Sequence, residues 1–355
     1  MQSILDKGDF ILGNKVFELE EKLATYVGVK ECITCASGTD ALLIPLMAEG
    51  FGENDAIFTT NFSFFATTEV ISLAGATPIF VDIDKKTFNI DPQLLEEKIV
   101  EVLDKGILMP KAIIAVDLFG QLADYQTIEK IAEKYDLLLI EDAAQSFGAT
   151  YNNKKSCSFG NVAATSFYPA KPLGCYGDGG AIFTNDLKKA EIYRSIRVHG
   201  QGIDKYDNVR IGLNSRLDTL QAAILLNKLS IFDEEIVKRN EIANFYIENL
   251  KDVLEIPFIR PGNVSSWAQF SVLAKNSKHR NDLIRYLNSK GIPTAIFYKK
   301  LFSDLDIYKE INSSSFDFSR DISSRIFSLP MHPYLSNADM IYIVEAVKEF
   351  NNSND

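Results

Sequence analysis

Lys171 and Asp142 are the residues whose types and surroundings best suit chemistry. Asp142 ends the apolar run LLLIED, and Lys171 follows 29 residues later (171 − 142 = 29) in SFYPAKPLGCYGDGG. A lysine amine can hold an aldehyde as a Schiff base and carry a proton, while a carboxylate can keep a ring nitrogen protonated. That combination is what a pyridoxal phosphate site needs. Lys171 is flanked by Pro169, Pro172 and Gly174, with GDGG at 177–180, so it belongs to an irregular turn and not to a solvated helical face. Desolvation in such a turn lowers a lysine pKa readily.

Four further places fit the same chemistry, two of them with a plainer alternative. Ser37-Gly38-Thr39 follows a strand pattern and opens a helix pattern, where N–H groups and a hydroxyl meet an anion at the positive end of the helix dipole. The same tripeptide also reads as a simple helix cap. Ser166 offers a second hydroxyl to a phosphate. Gln145, three residues after Asp142, is placed to approach a ring hydroxyl, and Phe64 in NFSFFATTE to lie on a planar ring or to fill core. Asp142 itself, at the carboxyl end of a buried strand, sits where open α/β sheets bind ligands, or else caps the next helix.

The elements that must position these residues alternate. ECITCA, DAIFTT, TPIFVDI, AIIAVDL, LLLIED, AATSFYP and GAIFTND read as strands, with helix patterns such as DALLIPLMAEG, PQLLEEKIVEVL and DYQTIEKIAEKY between them. This alternation predicts an α/β fold with a mostly parallel sheet. Asp91-Pro92 marks a helix start, and Tyr-Asn-Asn-Lys-Lys a turn. The pattern LDTLQAAILLNKLSIFDEEIVKRNEIANFYIENL is too long for one straight helix and predicts a bent spine. It divides a large domain, 1–235, from a smaller α+β carboxy-terminal domain, 236–355. INSSSFDFSR reads as a loop and the tail NNSND as frayed.

The 355 residues suffice for two domains and a substantial core. A net charge of −11 argues against nucleic acid as the main partner, though a local positive pocket can still take a small anion. No apolar stretch approaches the roughly 20 residues needed to span a bilayer, and the start MQSILDKGDFILG does not look like a signal peptide. Cys32 and Cys35 form a CxxC, but with no second pair and three histidines in the chain they read as packing residues; no metal site is expected. Cysteines of this kind suit a reducing cytoplasm.

GTDAL, FSFFAT, GATPIFVDID, IEDAAQSFGA, SFYPAKPLG, GDGGAIFTND, RVHG, GLNSRLDTLQAAIL and SLPMHPYL occur in this order. In these the chain resembles the DegT/StrS family of sugar-nucleotide aminotransferases, over nearly its full length. The resemblance implies a fold-type I pyridoxal phosphate enzyme with Lys171 as Schiff-base lysine and proton shuttle. Asp142 would pair with the ring nitrogen, Gln145 with the ring oxygen, and Phe64 with the ring face. Gly38, Thr39 and Ser166 would bind the phosphate, joined by Asn214 from the other subunit of a homodimer. His199, Arg216 and Tyr298 would lie near the substrate.

The implied reaction takes an amine from L-glutamate and delivers it to the ketone of a nucleotide-linked sugar, for amino sugars of bacterial surface glycans. Relatives with histidine in place of the lysine are dehydratases; Lys171 points to transamination. The wording around Lys171 and NSRLDTLQAAILL most resembles members acting on UDP-linked 3-keto sugars, including 3-keto glucuronates. Those members commonly have His-Tyr where this chain has Phe297-Tyr298, which brings in a 4-keto-6-deoxy hexose nucleotide as the competing substrate. They also usually carry a longer stretch before FILG, and many have histidine at the position of Phe147. A dinucleotide-dependent dehydrogenase would need a GxGxxG after the first strand, which is missing. A non-catalytic regulator on the same fold would not need the complete catalytic set.

Overall fold

The computed structural model describes residues 1–204, 206–311 and 315–354. Two short helices open the chain, α1 (Gln2–Lys7) and α2 (Asn14–Val27), before β1 (Glu31–Cys35), α3 (Gly38–Glu49), β2 (Asp55–Thr60), α4 (Ala66–Leu73) and β3 (Thr77–Val81). Then come α5 (Pro92–Lys105), β4 (Met109–Val116), α6 (Tyr125–Lys134) and β5 (Leu138–Asp142). A two-residue hairpin, β6 (Thr150–Tyr151) and β7 (Lys154–Lys155), turns at Asn152 and Asn153, both at positive φ, as asparagine in a tight hairpin allows. The last central strands are β8 (Val162–Ser166) and β9 (Gly180–Thr184), followed by α7 (Leu187–Arg197).

The seven-stranded sheet has the order β1-β9-β8-β5-β4-β2-β3, with β9 antiparallel to both its neighbours and the rest parallel. Its strands are apolar on both faces because helices cover both. On one face Ile33, Ile57, Ile114, Ile140 and Ile182 pack with residues of α3, α4 and α7. On the other, Phe58, Val81, Ile113 and Leu139 meet α5 and α6, and Phe147 and Phe183 meet α2 and α8 (Thr219–Leu229). Phe147 is fully buried and stacks on Tyr26 at 5.5 Å between ring centroids, so this position is core. Cys32 and Cys35 lie three apart in β1 and enter opposite cores, which prevents them from acting as a pair.

The expected bend in the long helical pattern falls at Ser230–Ile231, between α8 and α9 (Phe232–Leu250). Beyond it lie β10 (Asn263–Val264), which pairs with β6, and the antiparallel pair β11 (Phe270–Leu273) and β12 (Ile326–Leu329). With α9, α10 (Ser277–Ser289) and α12 (Asn337–Asn354) they enclose a separate core around Tyr246, Trp267, Phe270 and Phe327. A further cluster joins Phe62, Phe80 and Phe119 to Phe302, Tyr308 and Phe316, tying this region to the large sheet.

Two expectations are corrected. INSSSFDFSR is not all loop: Asn312, Ser313 and Ser314 lie outside the described residues, but α11 (Asp317–Arg325) begins within it. Its start is capped from far away, since the Asp82 carboxylate accepts from the Phe318 and Ser319 amides at 3.0 and 2.9 Å. The tail is helical through Asn354 because Asn351 is buried and its side chain binds His279 at 2.9 Å; Asp355 lies outside the described residues. Among the described residues no helix is long and apolar enough to cross a membrane.

Candidate active site

One edge of the sheet gathers the candidate residues. Ser166 ends β8 and pairs with Gly180 of β9, which pairs with Cys35 at the end of β1. Two residues beyond Cys35 the chain turns into α3, with Ser37 as cap: its Oγ accepts from the Asp40 amide at 3.1 Å. The plain capping reading of Ser37 is therefore met, and it leaves the first-turn amides of α3 next to Ser166. A Cβ built on Gly38 would stand 2.6 Å from the Ser166 Cβ, so only glycine lets the helix start come this close. An N-terminal turn backed by two hydroxyl residues is a cradle for an anion such as a phosphate.

Asp142 ends β5 at the same edge and is buried. Its Oδ2 accepts from Thr67 Oγ1 at 2.8 Å and its Oδ1 from the Ala144 amide at 3.2 Å. Burial raises the carboxyl above the usual range; the Thr67 hydroxyl, the Ala144 amide and the Lys171 charge all oppose that rise. Lys171 sits in a turn closed by its own amide on the Tyr168 carbonyl at 2.8 Å and is partly buried. Desolvation pulls its amine below the ordinary lysine range, against the attraction of Asp142. The amine makes no ion pair among the described residues and stays free to react.

Gln145 is held at both ends. Its Oε1 accepts from the Phe119 amide at 2.7 Å and its Nε2 donates to the Tyr298 hydroxyl at 3.0 Å, which fixes the amide orientation. Tyr298 also lies 6.3 Å, ring to ring, from Phe64. Phe64 is 55% exposed, against full burial for Phe62, so it is the ring free to meet a planar ligand. Burial raises the Tyr298 hydroxyl pKa well above the ordinary tyrosine value.

Three candidates stand apart from this cluster. No hydrogen bond, ion pair or ring contact joins His199, Asn214 or Arg216 to Asp142 or Lys171 among the described residues. His199 is exposed at positive φ, its amide on the Leu213 carbonyl at 2.8 Å. Asn214 forms a bridge with Val198 and is exposed, while its neighbour Ser215 is buried and donates to Asp40 Oδ2 at 2.6 Å. Adjacent side chains of an extended segment point to opposite sides, so with Ser215 on its own α3 the exposed Asn214 faces away from it.

The arrangement fits pyridoxal phosphate. It offers an unpaired desolvated amine, a buried acid with spare lone pairs, an exposed ring and a glycine-floored anion cradle. Thr67 and Ser63 were missed in the sequence; their only signal was small hydroxyl residues four apart in the run that also holds Phe64. No group of three or more His, Cys, Asp or Glu is placed to hold a metal among the described residues.

Comparison with known proteins gives the family. Residues 1–348 match the DegT/DnrJ/EryC1/StrS aminotransferase family. The chain is 47% identical over 348 residues to the UDP-2-acetamido-2-deoxy-3-oxo-D-glucuronate aminotransferase of Pseudomonas aeruginosa, covering 98% of this chain and 94% of that protein. It is 40% identical to the dTDP-3-amino-3,6-dideoxy-alpha-D-galactopyranose transaminase of Aneurinibacillus thermoaerophilus, covering 99% and 94%. Among solved structures, a DegT DnrJ EryC1 StrS aminotransferase from Brucella abortus superposes with a TM-score of 0.96 at 49% identity, covering 99% and 94%. A Bacillus subtilis protein with bound cofactor PMP gives 0.90 at 28% identity, covering 99% and 80%.

Proposed function

Because this chain belongs to the DegT/DnrJ/EryC1/StrS aminotransferase family, we propose that it moves an amino group from L-glutamate to the 3-keto group of a UDP-linked sugar. The observation behind this choice is the 47% identity to the P. aeruginosa enzyme along 98% of the chain, which makes a 3-oxo hexuronate the first candidate. A 4-keto-6-deoxy hexose nucleotide is the second, favoured by Phe297. Its ring packs in an apolar cluster 5.7 Å from the Tyr298 ring and offers nothing to a sugar carboxylate.

Pyridoxal 5′-phosphate, when bound, supplies the electron sink that lets a C–H bond beside nitrogen ionise. The chain does the rest. Gly38 and Thr39, at the start of α3, and Ser166 hold the phosphate. Phe64 covers one ring face, and Gln145, locked between Phe119 and Tyr298, meets the ring oxygen. Asp142 keeps a proton on the ring nitrogen. Lys171 Nζ, lowered by desolvation, takes and returns the proton at the reacting carbon. Tyr298 lies on the substrate side beside Gln145 and Phe64; Arg216 and His199 are the weaker substrate candidates, since neither contacts Asp142 or Lys171.

Residues 1–235 form the cofactor domain and 236–355 the smaller domain in this reading. The enzyme works as a homodimer, with Asn214 reaching the phosphate held by the partner. Support comes from its outward direction and from the exposed Ile203, Val209 and Ile211 on the same stretch of chain. Four buried free cysteines suit a cytoplasmic setting.

The test is the visible absorbance of the purified protein. A band lost on borohydride treatment, absent from Lys171→Ala and bleached by L-glutamate supports the cofactor and donor. Offering UDP-linked 3-keto sugars and 4-keto-6-deoxy nucleotides to the bleached enzyme then scores the acceptor by return of colour. A protein that stays colourless after addition of the cofactor would sink the reading; return of colour with 4-keto sugars alone selects the second candidate.

A further inference from the structure

We propose that Thr67 is a positioning residue for the cofactor-binding acid, holding Asp142 in place and ionised through a hydroxyl chain that runs from Ser63 to Thr67 to Asp142. The inference rests on the proposed pairing of Asp142 with the ring nitrogen, and it assigns a task to two residues outside that pairing.

The geometry fixes the direction of each bond. An ionised carboxylate only accepts, so at 2.8 Å the Thr67 hydroxyl must give its single proton to Asp142 Oδ2. The Ser63 Oγ lies 3.3 Å from Thr67 Oγ1, a contact in which either oxygen is placed to donate. With the Thr67 proton already committed, Ser63 is the donor. Both residues are buried, Thr67 at 1% and Ser63 at 4% exposure, so water is poorly placed to replace a lost hydroxyl. Thr67 stands second in α4, which brings the positive end of that helix dipole to the same carboxylate.

Each Asp142 oxygen thus receives one protein hydrogen bond and keeps a lone pair for the ring nitrogen. Of the forces against the burial penalty at Asp142, the Thr67 bond is the largest. The other charged or titratable groups that act on this carboxyl are Lys171, in the turn after β8, Tyr298 and Tyr125 of α6. The segment from Ser63 to Thr67 therefore does two things: Phe64 supplies a ring face, and the hydroxyls on either side set the acid behind the ring.

Three variants test this: Thr67→Val, which keeps the shape and removes the hydroxyl, Thr67→Ser, which keeps the hydroxyl, and Ser63→Ala. The readouts are cofactor affinity of the apo-protein, the pH midpoint of the visible band of the holoenzyme, and kcat against KM for the keto-sugar. Hydrogen bonds to buried charged groups predict a loss in kcat on the order of 10- to 100-fold for Thr67→Val. Its cofactor affinity falls, the pH midpoint moves and KM stays near the wild-type value. Thr67→Ser restores all three, and Ser63→Ala gives the same changes in smaller measure.

Cooperative thermal melting of each apo-protein separates these effects from a failure to fold. Thr67→Val with wild-type kcat and an unmoved midpoint overturns the proposal, as does a loss that Thr67→Ser does not rescue. Asp142→Asn run alongside separates the two levels. If it too keeps wild-type turnover, the parent reading fails; if it is slow while Thr67→Val is not, only the present inference fails.

Discussion

Asp142 and Lys171 each occupy a place where their charged forms are disfavoured by burial, and each partly relieves the other. Opposed environments of this kind mark functional groups, because an ordinary structural ion pair gains nothing from a desolvated amine left without a close partner. Asp142→Asn keeps the size and the Thr67 contact, so the fold should survive while kcat falls on the order of 10²- to 10³-fold, the scale of a lost preorganised charge. Steady-state kinetics with unchanged thermal melting checks this; equal loss of melting temperature and rate would assign Asp142 a structural task. At this scale the sequence was informative for Asp142, Lys171 and Gln145, since strand end, turn breakers and spacing were all visible. It was silent on Thr67, whose partner lies 75 residues away and is reached only when α4 packs over β5.

Among the elements, the start of α3 depends on a buried ion pair behind β1. Arg197 Nη1, at the end of α7, lies 2.5 Å from Glu20 Oε1 of α2 and donates to the Thr34 carbonyl at 2.8 Å. The same Glu20 oxygen accepts from the Thr34 amide and hydroxyl, both at 2.8 Å, so one carboxylate joins two helices to the strand that feeds α3. Glu20→Ala strands a buried guanidinium and should cost about 3–5 kcal/mol. Chemical denaturation measures it, and a loss within the range of exposed pairs would show that the pair is dispensable.

A second buried group, Asp117 and Glu141, sits behind the other side of the site. Asp117 accepts from the Ala123 amide, the Tyr125 hydroxyl and the Ser146 hydroxyl, while Glu141 accepts from the Cys157 and Phe159 amides. Both carboxyls are buried and raised, and the Asp117 charge adds to the rise at Glu141. Burial pushes the Asp117 carboxyl up to about 7 from 3.8. The folded protein therefore binds more protons than the unfolded chain between these values, so this contribution to stability is complete below about 4 and is lost as pH rises through 7. Asp117→Asn removes that titration. Denaturation between pH 5 and pH 8 should show the wild type losing more stability than the variant as pH rises; parallel curves would refute the raised Asp117 carboxyl.

At the scale of the whole molecule, one chain builds an anion cradle at the edge of its sheet but leaves Asn214 exposed and turned outward. A shared-site dimer makes a quantitative prediction. Mixing Lys171→Ala with Asn214→Ala chains, after dissociation and re-association, should rebuild one intact site in each mixed dimer. Random pairing then restores about a quarter of wild-type sites. Assay of the mixture against either parent decides it: no gain over the more active parent would place Asn214 in its own chain's site or in none.

The sequence by itself determined the alternation of strands and helices, the need for a bend in the long helical pattern, the breakers around Lys171 and the order of motifs along the chain. All of these are local patterns of period, turn chemistry and spacing. What only the tertiary structure decided came from contacts between distant segments. Asp82 caps α11 from 236 residues away, His279 holds the tail helix, Tyr298 locks Gln145 across 153 residues, and Thr67 meets Asp142. A hydroxyl or carboxylate looks the same in sequence whether it faces water or a buried partner. The packing of sheet and helices removes the water, and that makes the choice of partner matter.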